Sequence, residues 1–337
     1  MFSDRTIRWG VISAYGIANK RTIPAMIKLP DTKVIGVTSQ RLGEAEEIAK
    51  KYGCPYYFDR TDDLLALPEL DAVYIASPVF LHYENVVKAA KAKKHILCEK
   101  PMALTIDQCK EIDSLCRKQG VKFMIGFMMR FHGAHRKVKE MIDSGIIGKP
   151  IMARAQLSHY KVEWGPNGER TWRQSKELAG GGSLMDMGIH CIDLLRYWLG
   201  EVVEVSAFVD TLDADYNVED TATVLLKFKS GAHGIVDSCF NVKGARHVFE
   251  VYGTKGCLRG EETIGQLPEG RLFANLDGEE TKLEFPIINM YSAEVGYLNQ
   301  CIREDREPFL NACEGTRNQE IVFAAYRASE GRRVIKV

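Results

Sequence analysis

An α/β chain in two domains is what this sequence predicts. Short β-rich runs alternate with amphipathic helical stretches from residue 7 to about residue 125, the pattern of a parallel sheet covered by helices on both faces. Beyond about residue 150, strand-like runs follow one another across short turns, as in a largely antiparallel sheet. At 337 residues, 45% of them hydrophobic, the chain is long enough to fill two cores. The expected division is residues 1–125 for a doubly wound nucleotide-type domain and residues 126–337 for an α/β domain on a large, open, mostly antiparallel sheet.

The first domain is expected to take its strands from Ile7 to Ile12, Val34 to Val37, Ala72 to Ala76, His95 to Cys98 and Lys122 to Ile125. Thr105 and Gln108 form a capping signature that starts a helix, which leaves Pro101 to Leu104 as a loop just past a strand end. In open α/β sheets that edge is where ligands bind. The second domain is expected to use Ile151 to Ser158, Val202 to Val209, Thr221 to Phe228, His233 to Cys239 and His247 to Val251. Lys229-Ser230-Gly231 and Gly253-Thr254-Lys255-Gly256 read as turns, and one helix from about Ser183 to Leu199 interrupts the strands.

Charge and cysteine usage narrow the function. Lysine plus arginine equals aspartate plus glutamate at 45 each, so no global field draws the chain to nucleic acid or to an anionic membrane, and a small molecule is the expected partner. The nine cysteines show no paired two-residue spacing, which implies neither a disulfide framework nor a zinc site and suits a reducing compartment. The N-terminal segment runs into an apolar strand without the core of a secretory leader, and no apolar run approaches a membrane span. A cytoplasmic location is expected.

The first strand runs into Ser13-Ala14-Tyr15-Gly16-Ile17-Ala18, where a dinucleotide fold of Rossmann type wraps its first helix around pyrophosphate. The fingerprint wants glycine at positions 13 and 15 and a small residue at 18, and Ala18 alone conforms. Tyr15 puts a ring where close backbone approach is wanted, and the neighbouring Gly16 restores room. An ordinary strand-turn-helix would read the same way. After the second strand the chain runs Ser39-Gln40-Arg41 with no acid until Glu44, which leans towards NADP over NAD, although Arg41 also suits a solvated helix start.

Chemistry enters with Glu99-Lys100-Pro101 at a strand end and with Gly180-Gly181-Gly182 leading to Asp186 and His190. Four residues are about one helical turn, so Asp186 and His190 share a face. An ammonium, a carboxylate and an imidazole beside a nucleotide fold can move a proton while a cofactor moves a hydride. The pair could equally be a helix-surface hydrogen bond, and Lys100 a solvent lysine; two metal-type ligands without a third argue against a metal site.

Taken with Trp9-Gly10-Val11, Ala76-Ser77-Pro78-Val79-Phe80-Leu81-His82 and Gly145-Ile146-Ile147-Gly148, these segments make the chain resemble the glucose-fructose oxidoreductase / inositol dehydrogenase (Gfo/Idh/MocA) family over its first two-thirds. The resemblance implies an NAD(P)-dependent oxidoreductase that oxidises or reduces a hydroxyl or carbonyl on a sugar, polyol or derivative, assembled as a homodimer or homotetramer. It carries catalytic roles to Lys100, Asp186 and His190, with His190 the base, Lys100 the donor to the substrate oxygen and Asp186 orienting the pair. The expected cofactor contacts are Ser13, Ala14, Tyr15, Gly16, Ile17, Ser39, Gln40, Arg41, Ser77, Leu81, His82, Glu99, Lys100, Trp172, Arg173 and Tyr291. Arg130, Tyr160 and His159 are expected beside the substrate, with Lys100, Asp186 and His190. A glycosidase of the same fold that oxidises transiently, and a non-catalytic sugar or nucleotide sensor suggested by Tyr15, are the competing readings.

Overall fold

A computed structural model of the chain describes residues 5–160 and 170–337. The chain forms two units, Met1–Met128 with Tyr291–Thr316, and Met129–Met290 with Arg317–Val337. Where a single cut at 125/126 was expected, the chain crosses to the second unit, returns to the first for one helix, and crosses again.

In the first unit, β1 (Ile7–Ile12), β2 (Thr32–Thr38), β3 (Tyr56–Phe58), β4 (Ala72–Ile75), β5 (His95–Glu99) and β6 (Phe123–Gly126) form one parallel sheet in the order β3-β2-β1-β4-β5-β6. Val73, Tyr74, Ile75, Ile96, Leu97 and Cys98 are all buried, because a parallel strand covered on both faces needs apolar residues at every position. The short edge strand β3, with Tyr56 and Tyr57 exposed, is too brief to announce itself by alternation. Gln108 donates its backbone N–H to Thr105 Oγ1 at 3.2 Å, and its side chain accepts from Leu104 N–H at 3.1 Å rather than from Thr105.

The returning helix Met290–Arg303 is tied to this sheet by polar side chains in its interior. Trp9 is fully buried, and a buried indole N–H needs an acceptor. Asn299 Oδ1 supplies it at 2.9 Å, while Asn299 Nδ2 donates to Thr32 Oγ1 at 2.7 Å. No run of apolar periodicity marks such a tie, which is why the sequence assigned this helix to the second domain.

In the second unit, β7 (Pro150–Gln156), β8 (Val202–Asp210), β9 (Thr221–Phe228), β10 (His233–Cys239), β11 (Val248–Gly253), β12 (Gly256–Glu261), β13 (Arg271–Leu276), β14 (Glu279–Leu283) and β15 (Ile335–Lys336) form a sheet ordered β14-β13-β12-β11-β7-β10-β9-β8-β15. β7 pairs parallel with β10, and the other pairs are antiparallel. Along β9, buried Ala222, Val224, Leu226 and Phe228 alternate with the more accessible Thr221, Thr223, Leu225 and Lys227, the signature of a sheet with one covered face. The helix Ile189–Leu199 packs on β7 and β10. The strands β12 to β14 went unread in the sequence because charged and small residues break their alternation. Among the described residues no disulfide forms, and no helix is long and apolar enough to cross a membrane.

Asn299→Ala orphans the Trp9 indole and takes one of two partners from the Thr32 hydroxyl, which still has Asp31 Oδ1 at 3.3 Å, and is expected to lower unfolding free energy by about 2 kcal/mol. The exposed Gln300→Ala should change it by less than about 0.5 kcal/mol. Urea titration of the two variants checks the difference.

Candidate functional site

The strand order of the first unit reverses between β1 and β4, and ligands of doubly wound sheets bind outside the carboxyl ends of the strands at such a point. Four predicted segments arrive at that edge: Ser13 to Ile17 after β1, Ser39 to Arg41 after β2, Ser77 to His82 after β4, and Glu99 with Lys100 where β5 ends.

The degenerate glycine loop keeps the backbone shape that glycines would give it. Ser13 adopts φ +62°, the left-handed conformation that costs an L-residue roughly 1–2 kcal/mol. Its N–H donates to Thr38 Oγ1 at 3.2 Å, and Ala14 N–H donates to Thr38 O at 2.8 Å, which holds the turn against β2. Gly16 also has positive φ, +58°, and nothing lies within 4 Å of where a Cβ would stand. Tyr15 is 41% exposed. A pyrophosphate needs open backbone at that position, and these residues fit one.

At the end of β2, Ser39 Oγ donates to Glu44 Oε2 at 2.7 Å, and Arg41 pairs with Glu44 Oε1. Gln40 is exposed beside them. The acid that the sequence left out of account, five positions beyond Ser39, is thus folded back onto it by the first turn of the helix Leu42–Tyr52.

The Lys100 loop is braced from beneath. Thr22 Oγ1 donates to Tyr74 OH at 3.1 Å, and Tyr74 OH donates to Glu99 Oε1 at 2.6 Å, linking the first helical segment, β4 and β5. Glu99, expected at the cofactor, is engaged in this chain. Tyr291, also expected there, is 4% exposed, and burial, with Glu99 and Glu294 nearby, pushes its phenol far above the usual range. His82, also expected there, is 1% exposed, with Nδ1 2.8 Å from Pro101 O and Nε2 2.7 Å from Ser77 O. It ties the β4 loop to the Lys100-Pro101 loop. Ser77 is buried and accepts from Asn85 Nδ2 at 3.1 Å, while Leu81 is half-buried at the start of the next helix.

In the second unit, Asp186 lies in a π turn, Leu184–Gly188, that leads into the α-helix Ile189–Leu199 carrying His190. Such bulges inside helices concentrate at functional sites. A helix start leaves backbone N–H groups without intrahelical acceptors. Glu219 satisfies three in succession: Oε2 accepts from Gly182 N–H at 2.7 Å, its backbone carbonyl from Ser183 N–H at 3.0 Å, and Oε1 from Leu184 N–H at 2.9 Å. Tyr326 OH donates to the same Oε1 at 2.9 Å. Burial pushes the Glu219 carboxyl above its usual range, against the pull of those N–H donors. The triple glycine follows from this contact. A Cβ on Gly182 would stand 1.9 Å from Glu219 O, one on Gly181 2.0 Å from Tyr326 OH, and Gly180 ends the preceding turn at φ +76°.

His190 is 6% exposed and Asp186 half-buried. Asp186 acts on the His159 imidazole, which burial and then His247 push down and Asp186 pulls up; the rings of His159 and His247 meet edge to face at 4.9 Å. Arg173 stacks its guanidinium 4.4 Å from the Trp172 ring centre. Tyr160 is 54% exposed, with Lys243 Nζ 4.4 Å from its ring centre. Arg130, expected beside the substrate, has a side chain 6% exposed that grips Asp193, with Nη2 2.7 Å from Oδ1, where Asn318 also donates. Glu219 and Asn318 were missed because acids and amides whose partners lie far along the chain carry no local signal, and Glu44 because only the helix turn folds it back onto Ser39. Among the described residues no group of three or more His, Cys, Asp and Glu could hold a metal ion.

A doubly wound parallel sheet with an open phosphate-type turn, followed by an open-sheet unit with an Asp/His helix, defines a nucleotide-dependent oxidoreductase. The chain belongs to the Gfo/Idh/MocA family: the pattern described as an oxidoreductase family with an NAD-binding Rossmann fold matches residues 7–127, and that of the GFO/IDH/MocA C-terminal domain matches residues 135–259. It is 30% identical over 327 residues to the 1,5-anhydro-D-fructose reductase of Ensifer adhaerens, covering 96% of each chain. It is 34% identical over 266 residues to the myo-inositol 2-dehydrogenase of Thermotoga maritima, covering 74% of each. The crystal structure of the aldose-aldose oxidoreductase of Caulobacter crescentus complexed with glycerol superposes with a TM-score of 0.92 at 28% identity, over 99% of this chain and 100% of that one. The chain is an NAD(P)-dependent oxidoreductase of a sugar and polyol family.

Two measurements probe the braces. Burial first, and then Lys100, push His82 down to about 4, against the carbonyls at Pro101 and Ser77 that pull it up. A depressed pKa means that the unfolded state takes the proton first, so the stability present above about pH 6.5 is lost as pH falls towards 4. The loss should reach about 3 kcal/mol relative to His82→Asn, followed by urea titrations across that range. Glu219→Ala leaves buried donors unmet and should cost on the order of 3 kcal/mol by thermal unfolding.

Proposed function

We propose that this chain transfers a hydride between NADP, taken in preference to NAD, and a CH–OH or carbonyl carbon of a sugar, polyol or sugar derivative. The observation that carries the reading is the bracing of Lys100: Tyr74 holds its neighbour Glu99 and His82 holds Pro101, at the edge where a doubly wound sheet binds its ligand. The bound nicotinamide would accept or supply the hydride. The backbone from Ser13 to Ile17 would receive the pyrophosphate, and Ser39 and Arg41 the ribose end.

Within the reading, Lys100 as an ammonium donates to the substrate oxygen and stabilises alkoxide character as it develops. His190 takes the hydroxyl proton on its imidazole during oxidation and returns it during reduction. Asp186 orients these groups electrostatically. Trp172, Arg173 and Tyr160, each with aromatic or guanidinium surface in reach of solvent, suit sugar and nucleotide faces. The names of the relatives make anhydroketoses, aldoses and inositols the first substrates to try. Exposed Phe208 and Leu225 on the sheet of the second unit support assembly as a homodimer or homotetramer, and the cytoplasm is the proposed location.

The test is nicotinamide absorbance with the purified protein, either dinucleotide and a panel of those sugars. Lys100→Met and His190→Ala should each lower turnover by at least about a hundredfold while leaving the circular dichroism spectrum intact. Turnover retained in both variants overturns the assignment of roles.

A further inference from the structure

Ser39 and Arg41 bring a hydroxyl and a guanidinium to one place just beyond β2, and an anion already sits between them. Both oxygens of Glu44 are used: Oε2 accepts from Ser39 Oγ at 2.7 Å, and Oε1 pairs with Arg41. Ser39 is 3% exposed and pinned by its N–H to Phe58 O at 3.2 Å, so its hydroxyl can serve few other partners. The Arg41 side chain is 80% exposed, so the solvent side of its guanidinium is open while it pairs with Glu44. An acid in the first turn of a helix is favourable on its own account, but that favour requires neither donor. The second strand end of a doubly wound sheet is where the ribose 2′ substituent lies, a hydroxyl in NAD and a phosphate in NADP.

We propose that Glu44 is the residue that sets the balance between the two dinucleotides, its carboxylate occupying the anion seat that the 2′-phosphate of NADP must take. This inference rests on the nucleotide reading above. Ser39 and Arg41 are the attraction for the phosphate, and Glu44 is the internal competitor that keeps the preference for NADP narrow. NAD, with a neutral hydroxyl, leaves Glu44 on its partners. NADP must displace the carboxylate and then sit near its charge. Repulsion between a unit charge and a phosphate dianion at a few ångströms near the surface is sufficient for about a tenfold effect on affinity.

Equilibrium binding of NADP and NAD, followed by quenching of tryptophan fluorescence, tests it on the full chain without reference to turnover. Glu44→Gln keeps the shape and an acceptor for Ser39 while removing the charge, and should tighten NADP about tenfold and leave NAD flat or weaker. The gain should shrink as salt is raised. Arg41→Ala should weaken NADP more in the Glu44→Gln background than in the native chain, because Glu44 no longer neutralises part of its charge. A ratio of affinities unchanged by Glu44→Gln, or NADP bound less tightly, overturns the proposal while the nucleotide reading stands. If the native chain binds neither dinucleotide, the nucleotide reading fails and this inference falls with it.

Discussion

A parallel sheet delivers the carboxyl ends of all its strands to one edge, and the first unit depends on that constraint. Residues as distant in sequence as Ser13, Ser39, Ser77 and Lys100 arrive there because each follows a strand, not because any of them attracts another. The edge lies where the parallel hydrogen-bond ladder stops, so its loops must find other partners for their backbone and side-chain polar groups. They find them in one another: Thr38 receives the turn after β1, His82 joins the turns after β4 and β5, and Tyr74 reaches from inside β4 to Glu99. The cross-bracing ties the turn after β1 to β2 and the turns after β4 and β5 to each other.

The second unit solves a different problem. A helix that starts inside the protein has N–H groups with no water to bond, and here Glu219 takes up those of Gly182, Ser183 and Leu184 together. The glycines are what let Glu219 approach, since side chains at 181 and 182 would collide with Tyr326 and with the Glu219 backbone. Asp186 then falls in a π turn and His190 on the α-helix that continues from it. Farther along that helix, Asp193 pairs its charge with Arg130, accepts from the neutral amide of Asn318 and is consumed in the interior. One acid is therefore held in a structural tie on the helix, and another is half-buried in the π turn that precedes it.

The candidate site was partly legible before any coordinates. Lys100 at a strand end, and the glycine-rich run ahead of Asp186 and His190, stand in the places the sequence indicates, because strand ends and helix starts announce themselves by local pattern. The roles of Arg130 and His82 were not legible. Each is a polar group in a ligand-like position whose partner lies in another element: Asp193, 63 residues away from Arg130, and two backbone carbonyls for His82. The same limit applied to Glu44, which looks solvated as a letter in the chain and turns back onto Ser39 once the helix forms.

By itself the sequence determined the parallel sheet of the first unit, the mostly antiparallel sheet of the second and the positions of the lysine, aspartate and histidine. These follow from hydrophobic period, turn residues and caps, which act over a few residues. Tertiary structure alone decided that Met290–Arg303 belongs with the first sheet, that Ser13 takes a glycine conformation, and that Glu219 caps the Asp186 segment. Each of those outcomes settles which buried donor meets which acceptor, and the short, directional reach of a hydrogen bond leaves no trace in sequence spacing when its partners come from distant elements.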